Sequence, residues 1–245
     1  MFINYRTQGI ILKKKDLGET DQLFTIYTKD FGKIEILGKA IRKISSKLRS
    51  GADIFYLSNI EFIQGKTHKT LTDAILIEKF RNLRKSLKRL RIAYKISEVF
   101  DNLVKGQEPD QEIWHLLNET FEKLNNLSFD ICHLSLLYYY FLWNLLSTLG
   151  YRPELYNCSL CQKKLEPENL YFNSKEGGII CNQCYRKIKK GKQINLGTIK
   201  ILRILLKKDW PTLNRLKIET EDFKSLKLIS DYFLLYLKKA VIGSI

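Results

Sequence analysis

Leu23-Phe24-Thr25-Ile26-Tyr27-Thr28-Lys29-Asp30-Phe31-Gly32-Lys33-Ile34-Glu35-Ile36-Leu37 decides how the N-terminal part of the chain folds. In an extended chain, residues two apart share a face. The alternation over Leu23–Thr28, and again over Lys33–Leu37, therefore reads as two half-buried strands. Asp30-Phe31-Gly32 between them is turn chemistry. The same pattern continues on both sides. Gly9–Lys14 supplies a strand before this stretch, and Ile54–Ile63 and Lys69–Ile77 supply two after it. Gly18-Glu19-Thr20-Asp21, the stretch Gly38–Gly51 and Gln64-Gly65 separate them. Five short strands within residues 1–80 have the size of a closed OB-fold barrel.

Beyond residue 80 the hydrophobic period lengthens to that of a helix. Arg81–Lys95 reads as one amphipathic helix, with Leu83, Leu87, Leu90 and Tyr94 on the buried arc and Arg81, Arg84, Lys85, Lys88 and Lys95 opposite. Further helices are expected over Gln111–Asn125, Phe129–Leu149, Leu196–Lys207 and Glu221–Val241. Ile131–Tyr151 contains no Asp, Glu, Lys or Arg, which approaches the length of a membrane span. Its Ser, Asn, Thr and triple Tyr instead favour a helix buried in a helical domain, with Cys132 and His133 as core residues. Gly150-Tyr151-Arg152-Pro153 ends it with a glycine cap and a proline beyond. The fold class is thus an α+β multidomain chain. An OB-fold nucleic-acid-binding domain covers 1–80, and a helical domain covers 81–245 with a cysteine module at about 154–190.

The composition agrees with a folded protein. At 245 residues and 44% hydrophobic content the chain can bury a sizeable core. Lys plus Arg number 42 against 26 Asp plus Glu, a net charge of +16 that points to a polyanionic partner. The charge is uneven: +5 over residues 1–80, +1 over 81–150 and +10 over 151–245. Three runs free of acids carry much of it: Lys39–Arg49, Arg81–Lys95 and Arg186–Lys192. The first interrupts the strand pattern, so it reads as a long loop on the barrel whose cations can follow a phosphate backbone. Stacking of unpaired bases would also need an aromatic face. The barrel candidates Phe24, Tyr27, Phe31, Phe55, Tyr56 and Phe62 are individually better explained as core, and none is singled out.

Cys158-x2-Cys161, nineteen residues, then Cys181-x2-Cys184 is the spacing of a metal knuckle pair. Two intervening residues let one tight turn present two thiolates to one ion, and two such turns complete a tetrahedral shell. One structural Zn²⁺ is therefore expected. Gly177-Gly178 is placed to turn the chain back toward the first knuckle, and Lys163, Lys164, Arg186 and Lys187 to offset the charge of the thiolates. The sequence has no phosphate-binding G-x-x-x-x-G-K-[ST] loop and no G-x-S-x-G elbow, and His68, His115 and His133 are scattered. Glu19 and Asp21 read as turn-stabilising. Catalysis is not expected.

Taken in order, Thr7-Gln8-Gly9-Ile10-Ile11-Leu12, Asp16-Leu17-Gly18-Glu19-Thr20-Asp21, Thr28-Lys29-Asp30-Phe31-Gly32-Lys33, Leu48-Arg49, Gly150-Tyr151-Arg152-Pro153-Glu154-Leu155, the two Cys pairs and Gly177-Gly178 resemble the RecO family of bacterial recombination mediators. The resemblance covers nearly the whole chain. It implies an N-terminal OB-fold, a helical C-terminal domain and a zinc module. It also implies binding of single- and double-stranded DNA, annealing of complementary strands, and action with RecR. Contact with the acidic tail of single-strand binding protein, so that RecA is loaded at gaps, and a cytoplasmic, nucleoid-associated location follow from it as well. One departure stands out: Gln162 occupies a position where the family often has glycine. The candidate DNA contacts are Lys33, Lys39, Arg42, Lys43, Lys47, Arg49, Arg81, Arg84, Lys85 and Lys88. The candidate metal ligands are Cys158, Cys161, Cys181 and Cys184. Two other readings use the same charge, barrel and knuckle: an RNA-binding zinc protein, and an adaptor that contacts only proteins.

Overall fold

The computed structural model describes residues 3–126 and 131–242, with the side chains of 131–133, 214 and 240–242 outside the description. Cys132 and His133, expected as core residues, therefore lie outside the described side chains. Five strands form the N-terminal barrel: β1 (Asn4–Leu17), β2 (Asp21–Thr28), β3 (Gly32–Gly38), β4 (Leu57–Gln64) and β5 (Lys69–Glu78). The barrel closes in the order β1-β2-β3-β5-β4, the OB arrangement. Its neighbours are antiparallel except β3 and β5, whose parallel pairing is only Ile36 with Lys69 and Leu37 with Thr70.

β1 is longer than its apolar centre suggests because it pairs twice. Its first half lies against β4, and its second half against β2. The register shifts between Ile11 and Lys13, leaving Leu12 as an extra residue in the ladder. The freed Leu12 carbonyl accepts a hydrogen bond from Ser97 Oγ at 2.7 Å. Ile10, Ile11 and Leu12 are all buried, so the strand is covered on both faces here and its alternation disappears. The barrel interior is filled by Ile11, Phe24, Ile26, Ile34, Ile36, Ile60 and Phe62, among others.

Three helices pack with the barrel: α1 (Arg81–Arg84), α2 (Leu87–Leu103) and α3 (Gln111–Asn126). Aromatic rings make this seam. Tyr27 meets Phe100 edge-on at 4.9 Å, and Phe121 lies 5.5 Å from Phe55 and 5.7 Å from Phe80. The single helix expected over Arg81–Lys95 is in fact broken. Ser86 is the N-cap of α2 and accepts from the Arg89 N–H, which restarts the helix in a new phase. Leu83 is buried as expected, but Leu87 is 85% and Tyr94 52% exposed. Ile92, Ala93, Ile96, Val99 and Phe100 form the buried face of α2 instead.

By packing, the chain divides into one unit over Met1–Leu137 and another over Tyr138–Ile245. The strand-to-helix switch at residue 80 marks a change of local structure, whereas the packing division falls later, within α4 (Ile131–Thr148). The second unit adds β6 (Leu170–Asn173), β7 (Gly178–Ile180), α5 (Asn182–Ile188), β8 (Lys192–Ile194), α6 (Leu196–Leu206), α7 (Trp210–Arg215) and α8 (Thr220–Ile242). Trp143 of α4 anchors its core. Its ring stacks on Phe233, and its Nε1–H donates to Ser230 Oγ at 3.0 Å. Asn144 is tolerated in this apolar helix because its amide donates to the Tyr140 and Leu205 carbonyls. Among the described residues no helix is long and apolar enough to cross a membrane.

Candidate metal centre and basic barrel surface

The cysteine module is built on a three-stranded sheet, β7-β6-β8. Glu154 prepares the first knuckle: its carboxylate accepts from the Tyr156 and Asn157 N–H groups at 2.7 and 3.0 Å. Its backbone exchanges hydrogen bonds with Gly177 and Ile179, tying the segment before Cys158 to the β6–β7 turn. A β-carbon at Gly178 would stand 2.6 Å from the Glu154 carbonyl oxygen, so this junction accepts no side chain. Tyr171 of β6 stacks flat on Tyr185 of α5 at 3.5 Å, which holds the second knuckle against the sheet.

All four cysteine Sγ atoms lie within 4.8 Å of one another. The edge of a tetrahedron of thiolates around zinc, with Zn–S of about 2.3 Å, is about 3.8 Å. Cys161 Sγ and Cys181 Sγ are 3.9 Å apart, so the donor set fits a single tetrahedral ion. Cys158 is fully buried, with Ile180 and Cys184 packed beside it, while Cys161 is exposed. Burial pushes the Cys158 thiol up, but N–H groups of Cys161, Cys181 and Leu160 outweigh it and bring the group down to about 6. Burial first, and then the neighbouring sulfurs, push Cys184 the other way. A cation at the centre would remove that conflict by favouring the thiolate at every position. Four protein ligands also leave no open position for substrate.

Gln162 sits immediately after the first knuckle with φ of 60°, and its N–H donates to the Cys158 carbonyl at 2.9 Å. This is the left-handed region, which explains why glycine suits the position. Lys163 and Lys164 line a cleft of about 180 Å³ beside Cys181, together with Glu166 and Glu168. Arg186 and Lys187 lie in the last turn of α5.

The loop between β3 and β4 carries the first basic run. Ile41 is buried in the barrel core, and Leu48 packs against it, so the loop is anchored from within. A short 3-10 turn covers Lys47–Ser50. Gly51 follows against β5, where a β-carbon would come within 1.9 Å of the Ala74 carbonyl oxygen. Asp21 fastens the loop's start, accepting from the Ala40 N–H at 2.7 Å and from Thr20 Oγ1 at 3.0 Å. The Ala40 N–H, then the Thr20 hydroxyl, hold its carboxyl below the ordinary value. The turn containing Thr20 and Asp21 is therefore the clamp of the basic loop.

Lys39, Lys43, Lys47 and Arg49 are exposed, with no ion-pair partner among the described residues. Arg42 is partly engaged, with Asp16 at 3.4 Å and the Gly18 carbonyl at 3.3 Å. Arg42, Arg49 and Lys14 line a polar cleft of about 290 Å³ with Asp53. Asp53 also pairs with Lys14 and Arg84, and so links the loop to α1. Burial raises the Asp53 carboxyl, but Lys14, the Ile54 N–H and Arg84 prevail and hold it low.

The ten candidate cations do not all present themselves alike. Lys33 is 15% exposed and bonded to the Asp101 carboxylate and carbonyl at 3.2 Å, joining β3 to α2. Arg84 bonds Asp53 and the Ile54 carbonyl and lies over the Tyr56 ring at 4.3 Å. Both serve the interior of the unit. Arg81, Lys85 and Lys88 are exposed around the α1–α2 break. Of the six aromatic candidates, Phe24, Tyr27, Phe55, Tyr56 and Phe62 are buried and Phe31 is half-buried, as their core reading required.

An OB-type barrel with a cation-rich loop, followed by a helical unit carrying a four-thiol knuckle, defines a class of multidomain metal-knuckle proteins. Comparison with known families places the chain within that class. Residues 1–80 match the model described as Recombination protein O N terminal, and residues 84–238 match Recombination protein O C terminal. The chain belongs to the RecO family of DNA repair proteins. A DNA repair protein RecO from Dehalococcoides mccartyi is 33% identical over 225 residues, covering 92% of this chain and 87% of the relative. Relatives of the same name from Alkaliphilus metalliredigens and Caldanaerobacter subterraneus are 29% and 28% identical, covering 98% and 87% of this chain and 96% and 84% of their own.

Proposed function

We propose that the protein is a recombination mediator that works by binding rather than by bond chemistry. It holds single- and double-stranded DNA, brings complementary strands together for annealing, and acts with RecR to load RecA onto DNA coated by single-strand binding protein. Four exposed cations on the loop of an OB-type barrel, Lys39, Lys43, Lys47 and Arg49, with no ion-pair partner among the described residues, carry this reading. Two strands of like charge repel, and a positive surface lowers that barrier while base pairing supplies the sequence recognition. Arg42, Arg81, Lys85 and Lys88 extend the surface, whereas Lys33 and Arg84 act through the fold. The acidic tail of single-strand binding protein is drawn to the same charge excess. One zinc ion held by Cys158, Cys161, Cys181 and Cys184 gives a short, sparsely cored module its stability. The protein then works on the chromosome, in the cytoplasm and nucleoid.

Titration of labelled single-stranded, duplex and hairpin-RNA oligonucleotides tests the proposal. Salt-sensitive binding of both DNA forms is expected. Strong preference for structured RNA, or no binding to any polymer at low salt, would overturn it.

A further inference from the structure

A cleft of about 480 Å³ lies between α2 and the outer surface of the first strands of the barrel, within the size range of small-ligand sites. Leu12, Leu23 and Ile54 give it an apolar lining, and Tyr94 forms part of its wall. Tyr94 is 52% exposed, in contrast to the buried aromatics of the barrel. Its ring is nevertheless held in place, since Phe55 meets it edge-on at 4.9 Å. A large aromatic face that is fixed and open to solvent is what a base needs for stacking.

The charges around the cleft set the orientation of an occupant. Glu35 and Glu98 line it and have no ion-pair partner among the described residues, so an anionic group is repelled from the interior. Lys13, Lys14 and Asp101 line it as well, but they are paired: Asp101 with Lys13 and Lys33, and Lys14 with Asp53. Lys15 also lines the cleft and is exposed, and Arg91, three residues before Tyr94 on α2, is exposed as well. An acidic peptide would meet the two carboxylates. A nucleotide suits both features, with an uncharged base carrying N–H donors inside and a phosphate outside.

We infer that this cleft receives one unpaired nucleotide of single-stranded DNA, its base stacked on Tyr94 and its phosphate turned toward Lys15. The inference rests on the DNA-binding reading above and adds to it the element that tells an unpaired strand from a duplex. Bases in a duplex are stacked on each other and do not reach the ring.

The test compares the metal-loaded full chain with Tyr94→Ala and Tyr94→Phe. The probes are an end-labelled oligothymidylate, an abasic oligomer of the same length, and a duplex, all followed by anisotropy. Tyr94→Ala should weaken oligothymidylate binding roughly ten-fold, the scale of one lost base–aromatic stack. Tyr94→Phe should bind like the wild type, and all three proteins should bind the abasic oligomer and the duplex alike. The salt slope should be the same in all three, because stacking releases no counterions. Equal binding of oligothymidylate by Tyr94→Ala and wild type would overturn the inference and leave the cleft to a protein ligand. A loss shared by Tyr94→Phe, or an equal loss on the abasic oligomer, would also overturn it. A wild-type protein that binds no DNA would instead refute the proposed function itself.

Discussion

Replacing Lys39, Lys43, Lys47 and Arg49 together by alanine tests whether the barrel loop tracks a phosphate backbone. All four are exposed, and none has an ion-pair partner among the described residues, so their removal leaves no buried charge behind. The loop keeps its anchors at Ile41, Leu48 and Asp21. If each cation meets one phosphate of a single strand, each contributes about 0.7 to the slope of log affinity against log salt, and the four contribute about 2.8. Between about 50 and 200 mM salt, a four-fold change, the wild type should then lose about fifty-fold more affinity than the variant. Fluorescence anisotropy with a labelled oligonucleotide across a salt series measures both slopes. Lys33→Ala and Arg84→Ala supply the internal contrast. Each removes one positive charge but breaks the tie to Asp101 or Asp53, so each should lower the melting temperature and leave the slope near the wild-type value. An unchanged slope in the four-fold variant would refute the reasoning, as would a slope lost through Lys33 and Arg84.

Three further outcomes follow from the geometry. Elemental analysis should find one zinc per chain, and Cys184→Ser or a strong chelator should remove it and lower the melting temperature; a metal-free protein of unchanged stability would contradict the site. Gln162→Gly should stabilise the knuckle by about 1 kcal/mol through relief of the left-handed backbone, a rise of roughly 2–4 °C for a chain of this size, and a fall would contradict that assignment. At Asp101, burial raises the carboxyl but Lys13 and Lys33 prevail and hold it below its ordinary 3.8. Its stabilising contribution is therefore complete above that value and lost as pH falls through the lower folded one. The urea midpoint gap between wild type and Asp101→Asn should be open at neutral pH and closed in strong acid, and a gap that widens in acid would reverse the sign.

Much of this architecture is legible in the residues. Alternation over Leu23–Thr28 and Lys33–Leu37 reports strands because Phe24, Ile26, Ile34 and Ile36 face the barrel core while the residues between them turn outward. The knuckles are legible because Cys-x2-Cys lets one tight turn bring two sulfurs together, and two such pairs converge here. β1 is only partly legible: its extension to Asn4 and Leu17 comes from pairing with two neighbours, a tertiary fact with no local signature. The α1–α2 break was hidden for another reason. Leu83, Leu87, Leu90 and Tyr94 keep helical spacing by coincidence, and one serine cap outweighs that pattern. The roles of Lys33 and Arg84 are set by Asp101 and Asp53, partners 68 and 31 residues away, so charge counting treats them like their exposed neighbours. The outward turn of Tyr94 follows from that same break, because helical spacing continued from Leu83 assigns it to the buried arc.

Strand annealing is the most direct measure of the central claim. Complementary oligonucleotides, one set bare and one coated with single-strand binding protein, are mixed with the full metal-loaded chain, and duplex formation is followed by fluorescence. Faster annealing of both sets is expected, with the four-fold loop variant slower than the wild type. Annealing no faster than that of the strands alone, at low salt where the cations act most strongly, would contradict it.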